Sequence, residues 1–380
     1  MSATSSNATL IGIKGSRQRL DTPCLVLDLD MFESNLAAMH GWARDRCIAL
    51  RPHAKTHKCA TIGKRQMEAG AIGLCCAKLG EAEALTDHGL EHLMLTSPVT
   101  GRAKIDRLLA LNARLPDLTL VVDDPENLAE LEAAARIAGQ QLRLLIDVDV
   151  GTHRFGVISP DQALALADTM AASPALNLMG IQGYAGHCQA ITDYHERLEV
   201  SHRALGVLAG VRDALIEADH ACDIVTGSGT GTHDVDQTFG LLTDLQVGSY
   251  VFSDVTYDRV TMTADGERRV QPALFVHSRV VSRCQKGYAT IDAGSKSFSM
   301  DGPMPILVDG PTPGSEYGRF GDEFGRVSLE GVGRDVALGE LTTWMVPHCD
   351  PTLNLYDTLH CVRGDTLVEI WPIEARGAAG

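Results

Sequence analysis

The chain has 380 residues, 44% of them hydrophobic and 22% charged, with a mean hydropathy of -0.01. That is enough apolar material for one large α/β unit or two domains, and it excludes a disordered chain. A net charge of -16 repels phosphate backbones and anionic lipid heads and so argues against nucleic-acid and membrane partners. No apolar run reaches the ~20 residues of a membrane span, and Met1 to Ser16 lacks the apolar core of a signal peptide. The ten cysteines include no C-x-x-C pair and read as reduced, mostly buried thiols of a cytoplasmic enzyme.

In chain order, Cys24–Leu29 and then Met31–Arg46 form a leading strand and helix. Eight apolar or β-branched runs follow: 49–52, 71–77, 92–96, 118–122, 142–150, 179–184, 223–226 and 245–252. Helical spacing separates them at 103–111, 126–138, 160–172 and 193–218, with Pro125 and Pro160 just inside helix starts behind Asp124 and Ser159. Eight alternating strands and helices predict a closed (β/α)8 TIM-type barrel over residues 24–264. After Ala264 the runs 274–284, 288–292, 326–329, 341–346, 359–362 and 366–371 read as strands between Gly and Pro turns. They predict an all-β C-terminal domain over 265–380, joined by residues 1–23, with a loose tail at Gly377–Gly380.

Three segments carry candidate chemistry. In Arg51-Pro-His-Ala-Lys-Thr-His-Lys58, Lys55 falls just past the first barrel strand, on the face where barrels keep active sites. Arg51, His53, His57 and Lys58 around it predict a positive field that favours the free amine, a nucleophile toward an aldehyde. The alternative is a solvated basic loop. Thr226-Gly-Ser-Gly-Thr-Gly-Thr232 follows the seventh strand, and Gln246-Val-Gly-Ser249 supplies a second loop at the eighth, where barrels bind phosphate. Glycines there let backbone N–H groups approach a small cofactor's phosphate, and a Rossmann reading fails because the loop is truncated and comes too late in the chain. In Pro347-His-Cys-Asp-Pro351, His348 and Asp350 share one face of an extended chain and Cys349 the other, a pair suited to Mn²⁺, Mg²⁺ or Zn²⁺. The alternative is a turn capped by Asp350. Arg154, after the fifth strand, is placed to meet a phenolate or carboxylate, or is an ordinary surface arginine. Asp123-Asp124 reads as a helix start.

Together, the Lys after strand one, the Arg after strand five and the phosphate loops after strands seven and eight resemble the fold-type III pyridoxal-phosphate enzymes of the alanine-racemase superfamily. More narrowly, the chain is similar to the D-threonine aldolase and D-serine dehydratase-like family. Asp21-Thr-Pro-Cys-Leu-Val-Leu-Asp28, Arg51–Lys58, Gly248-Ser-Tyr250, Asp292-Ala-Gly294 and Pro347–Thr352 carry that likeness in order along the chain. The resemblance implies that Lys55 links covalently to pyridoxal 5'-phosphate, that Arg154 meets the cofactor's phenolic oxygen and that Tyr184 lines the pocket. Its phosphate would rest on Gly229, Thr230, Gly231, Gly248 and Ser249, and Gln246 falls where the racemases place an Arg against the pyridine nitrogen. His348 and Asp350 match the divalent-metal ligands. The family's aldolases resemble His-x-Asp and its dehydratases His-x-Cys, and the hard carboxylate of Asp350 suits Mn²⁺ or Mg²⁺.

The expected activity is therefore cleavage of a D-3-hydroxy amino acid such as D-threonine to glycine and an aldehyde, with His53 or His187 as proton carrier. The alternatives are a D-serine or D-3-hydroxyaspartate dehydratase on the same scaffold, and a non-catalytic pyridoxal-phosphate carrier. Phe324, in Asp322-Glu-Phe-Gly325, and the stretch Tyr184–Gln189 depart from the aldolase pattern. The expected assembly is a homodimer in which the β domain of one subunit approaches the barrel of the other.

Overall fold

The computed structural model describes residues 6–310, 315–329 and 336–380. Eight parallel strands form a curled sheet: β2 Ala49–Leu50, β3 Leu74–Cys76, β4 Leu93–Leu95, β5 Thr119–Val122, β6 Leu142–Asp147, β7 Leu176–Gly183, β8 Ile224–Gly227 and β9 Asp244–Leu245. They neighbour one another in the order β2-β9-β8-β7-β6-β5-β4-β3. Between the two end strands, Ile72 N donates to Leu50 O, Cys75 N to Pro52 O, and His53 bridges Cys75. The (β/α)8 architecture read from the sequence is thus present. Period-2 alternation explains why these runs are apolar throughout. Leu74, Cys76, Leu93, Leu95, Leu120 and Leu144 face the surrounding helices, while Cys75, Met94, Val121 and Leu145 pack inside the barrel.

The helices are α2 Ala60–Glu68, α3 Leu79–Asp87, α4 Arg102–Arg114, α5 Pro125–Ala138, α6 Pro160–Ala171, α7 Tyr194–Glu217 and α8 His233–Phe239, after a leading α1 Leu29–Asp45 and before a single turn, α9 Val255–Asp258. Their starts follow local chemistry. Asp124 accepts from the Glu126 and Asn127 amides ahead of α5, Ser159 from Gln162 ahead of α6, and Asp193 from Glu196 ahead of α7.

The second sheet corrects one boundary. β1 Cys24–Asp28 was read with the barrel, yet it pairs antiparallel with β10 Leu274–Ser282 and parallel with β16 Thr358–Arg363. The remaining strands are β11 Tyr288–Ile291, β12 Ile306–Asp309, β13 Tyr317–Arg319, β14 Gly325–Ser328, β15 Leu341–Met345 and β17 Thr366–Pro372. Their main path runs β13-β14-β11-β10-β1-β16-β17, with β15 joining β10 to β12. β12 is an apolar run, Ile306-Leu307-Val308, that the sequence reading passed over, and β13 is only three residues long. One hydrophobic core runs from Phe32, Met39 and Trp42 of α1 through Leu245 and Tyr250 to Trp344 of β15, so the two sheets share packing across α1.

Other readings also shift. The run 245–252 is strand only to Leu245. It then turns through Gly248 into a single 3-10 turn at Ser249–Val251, its apolar side chains buried without a ladder. The tail is not loose: Gly80 N donates to Gly380 O at 3.0 Å. All ten cysteines are free thiols, and only Cys47 and Cys284 are exposed. Among the described residues, no helix is long and apolar enough to cross a membrane.

Candidate active site

Past β2 the chain enters a 3-10 turn, Ala54–Thr56, which places Lys55 at the mouth of the barrel. His53 caps that turn: its Nδ1 accepts from the Lys55 amide at 3.4 Å. Thr96 Oγ1 gives its one proton to Cys76 O, so it accepts from His53 Nε2–H at 3.1 Å. Burial, reinforced by Lys55, holds His53 far below the usual histidine pKa. Both ring nitrogens are therefore occupied in a neutral imidazole. His53 thus fixes the turn from inside the cavity lining.

The positive field predicted around Lys55 is absent. Arg51 lies 3.5 Å from Asp244, Lys58 pairs with the buried Glu81, and burial lowers the His57 pKa to about 4. Lys55 Nζ instead donates to Asp350 Oδ2 at 2.5 Å. Burial alone would lower the lysine pKa, but Asp350, then Tyr184, outweigh it and the net shift is upward. Lys55 therefore rests as an ammonium, and it becomes a nucleophile only when its proton and its carboxylate partner are taken from it.

A cavity of about 190 Å³ opens beside this pair, and it gathers His53, Lys55, Arg154, Tyr184 and Gln246. The Arg154 guanidinium stacks 4.2 Å from the Phe155 ring centroid and 5.8 Å from that of Tyr184. Burial pushes the Tyr184 phenol up. Gln246 spends its amide nitrogen on Gln182 Oε1 at 3.0 Å and Thr226 Oγ1 at 3.1 Å.

The remaining predicted residues sit outside the lining of this cavity. A Cβ on Gly229 would fall 2.5 Å from Gln189 Oε1, and one on Gly231 would strike the Gln189 carbonyl, so this loop needs glycine to pack against Gln189. Thr230 Oγ1 accepts from Tyr250 N at 3.0 Å and ties the two glycine loops together. Gly248 lies against the Lys55 turn, where a Cβ would come 2.6 Å from Thr56 Oγ1. That buried hydroxyl helps to hold the Asp350 carboxyl low. Ser249 Oγ is 3.5 Å from Asp350 Oδ1. His187 is exposed, its ring against Gly151.

The metal pair is not on extended chain. His348 caps a five-residue helix, α10 Cys349–Leu353, so Cys349 does not point away from its neighbour: its thiol lies 3.3 Å from Asp350 Oδ1. His348 Nδ1 meets Asp301 Oδ2 at 2.7 Å, which leaves Nε2 as the free donor. Among the described residues no three His, Cys, Asp or Glu side chains gather as a ready metal cluster. Two protein donors suit a hard cation that completes its shell with water or substrate oxygen.

Sequence reasoning missed Lys78, Thr96, Ser97, Phe155 and Gln182, which also line the cavity. For Gln182 a signal existed: it is one amide inside an apolar strand run, where a polar side chain must find a partner.

The comparisons with known proteins follow the same division. Residues 27–252 match the family model "Alanine racemase, N-terminal domain" and residues 273–362 the "Putative serine dehydratase domain". The chain is 39% identical over 360 residues to a D-threonine aldolase of Arthrobacter, covering 94% of this chain and 93% of that one. It is 34% identical over 364 residues to a 3-hydroxy-D-aspartate aldolase of Paracoccus denitrificans, covering 94% and 92%. The crystal structure of a D-threonine aldolase from Filomicrobium marinum superposes with a TM-score of 0.90 at 38% identity, over 96% of this chain and 97% of that one. With two aligned family models, two full-length relatives above 30% identity and a matching fold, the chain belongs to the D-threonine aldolase and D-serine dehydratase-like family of fold-type III pyridoxal-phosphate enzymes, and is a carbon–carbon lyase.

Proposed function

We propose that the protein is a cytoplasmic, pyridoxal-phosphate- and divalent-metal-dependent aldolase that cleaves a D-3-hydroxy amino acid of the D-threonine kind to glycine and an aldehyde. One observation carries this reading: a barrel amine, Lys55, and a carboxylate of the C-terminal domain, Asp350, meet at 2.5 Å beside the cavity. An amine able to act as nucleophile and a carboxylate able to hold a hard metal, coming from two parts of the chain, support that reading.

The residues fit a phosphorylated aromatic cofactor. The Lys55 amine borders the cavity, Arg154 and Tyr184 offer a cation and a ring to a flat phenol, and the Gly248 loop leaves a cradle that a Cβ would fill against Thr56. Pyridoxal phosphate, when bound, supplies an electron sink for the pair left at Cα. His348 and Asp350 would hold the metal, whose chemistry is to lower the pKa of an oxygen ligand. The chain's own residues do the rest. Asp350 keeps the Lys55 amine at the mouth, and Tyr184 and Arg154 wall the cavity. His53, in the cavity lining, or His187, exposed and without a side-chain hydrogen bond among the described residues, would move the proton. The metal choice, Mn²⁺ or Mg²⁺ over Zn²⁺, follows from carboxylate in place of thiolate.

A dehydratase is the second reading, favoured by the match of residues 273–362 to the serine dehydratase domain. Incubation with D-threonine, pyridoxal phosphate and Mn²⁺ separates the two: glycine with an aldehyde supports the aldolase, and an oxo acid with ammonia overturns it. We also propose a homodimer, since Met304, Ile306 and Val308 leave apolar side chains exposed on and beside β12. A single monomeric species with full activity in sedimentation would refute that.

A further inference from the structure

Below the cavity, one rung of the barrel is polar across four adjacent strands. Asp147 of β6 lies beside Gln182 of β7, Gln182 beside Thr226 of β8, and Thr226 beside Asp244 of β9. All four are buried. Such a rung must be satisfied internally, and the way it is satisfied has a direction.

The direction starts at a backbone carbonyl. Thr96 O can only accept, and Gln182 Nε2 sits 3.3 Å from it and 2.6 Å from Asp147 Oδ1. Gln182 is therefore fixed with its nitrogen toward Thr96 and Asp147 and its oxygen toward Gln246. That oxygen accepts from Gln246 Nε2 at 3.0 Å. The second Gln246 proton goes to Thr226 Oγ1 at 3.1 Å, and Thr226 hands its own single proton to Asp244 Oδ1 at 2.6 Å. Arg51, 3.5 Å away, keeps a cation beside Asp244. Both amide protons of Gln246 are spent below the cavity it lines, and no hydrogen bond among the described residues engages its Oε1. A glutamine in isolation can present either face; this one presents only a carbonyl.

We propose that Gln182 and Thr226 are positioning residues that make Gln246 a one-way acceptor, so that the cavity wall selects an N–H donor, the protonated ring nitrogen of the cofactor. This rests on the pyridoxal-phosphate reading above. An arginine at this place would present only donors and favour the bare nitrogen; the locked carbonyl favours the protonated, more electron-withdrawing ring.

The test is the ¹⁵N resonance of pyridoxal phosphate labelled at the ring nitrogen and bound to the protein, with turnover not required. The wild-type resonance should lie in the range of protonated pyridine. Gln246→Met should move it toward neutral pyridine and weaken cofactor binding about tenfold, the value of one hydrogen bond. Gln182→Met should move it the same way, because the Gln246 amide is then free to turn. Gln246→Glu, which has only acceptor oxygens to offer, should restore the protonated signal. Should Gln182→Met fail to fold, Gln246→Met and Gln246→Glu read the same selection. A neutral-range resonance in the wild type, or a protonated one that neither Met variant moves, overturns the inference while leaving cofactor binding standing. Failure of the wild type to bind the cofactor at all overturns the reading and the inference together.

Discussion

The barrel half of the site and the half from the C-terminal domain are held in place by different means. Gln182, Thr226 and Asp244 sit on neighbouring strands in one register, so the backbone ladder that builds the barrel also aligns their side chains. His348 and Asp350 sit at the start of the five-residue α10, between β15 and β16, with no ladder of their own. Asp254 caps that turn through the Cys349 amide at 2.9 Å, and Asp350 is anchored by Lys55. The ladder fixes the strand backbone whatever one side chain does, whereas the short turn depends on its cap and one ion pair. Chemistry that needs both halves should therefore fail from the C-terminal side without disturbing the barrel, whereas the reverse does not hold.

The largest expected effect tests the point where the halves meet. Lys55→Ala should lower turnover at least about 10³-fold and remove the cofactor's visible absorbance, while leaving Asp350 without its cation. Retained turnover in that variant would break the assignment of the nucleophile. Chelation of the wild type should remove the activity yet keep the absorbance, because the cofactor is held by the barrel, and His348→Ala should behave like the chelated form. If absorbance and rate vanish together, the halves are not separable and the comparison fails.

A smaller effect belongs to the C-terminal sheet alone. His277 of β10 is buried with neither ring nitrogen hydrogen-bonded, and burial, helped by Arg17 and Arg279, lowers its pKa to about 3. The unfolded chain takes up that proton first. Stability is thus whole above about pH 6.5 and declines as the pH falls from there toward 3, by at most roughly 5 kcal/mol. His277→Leu should raise stability by about 1 kcal/mol at pH 7 and flatten that acid limb in urea titrations. An unchanged limb would place the acid sensitivity elsewhere. The smallest effect is expected at Cys349→Ser, where a hydroxyl replaces the thiol that faces Asp350. Turnover within about twofold of wild type is expected, and a large loss would give the thiol a part in the site.

Much of this was legible in the residues. Eight apolar runs, the helix starts at Asp124, Ser159 and Asp193, and the Lys55 segment follow from local periodicity and capping, which act within a few residues. Local rules also misled. Val247, Tyr250, Val251 and Phe252 are apolar because they are buried, and burial without a ladder looks like strand. The His348–Asp350 spacing looked extended because nothing nearby showed that Asp254, 95 residues away, caps a turn there.

By itself, then, the sequence determined the order of strands and helices, the amine at the end of the first barrel strand and the glycine loops, since each depends on neighbours along the chain. Tertiary structure alone decided that β1 joins the C-terminal sheet, that Asp350 cancels the charge on Lys55, and that Gln246 shows its oxygen to the cavity. A strand's partners, a buried group's protonation and an amide's orientation are set by atoms that only folding brings within hydrogen-bond reach.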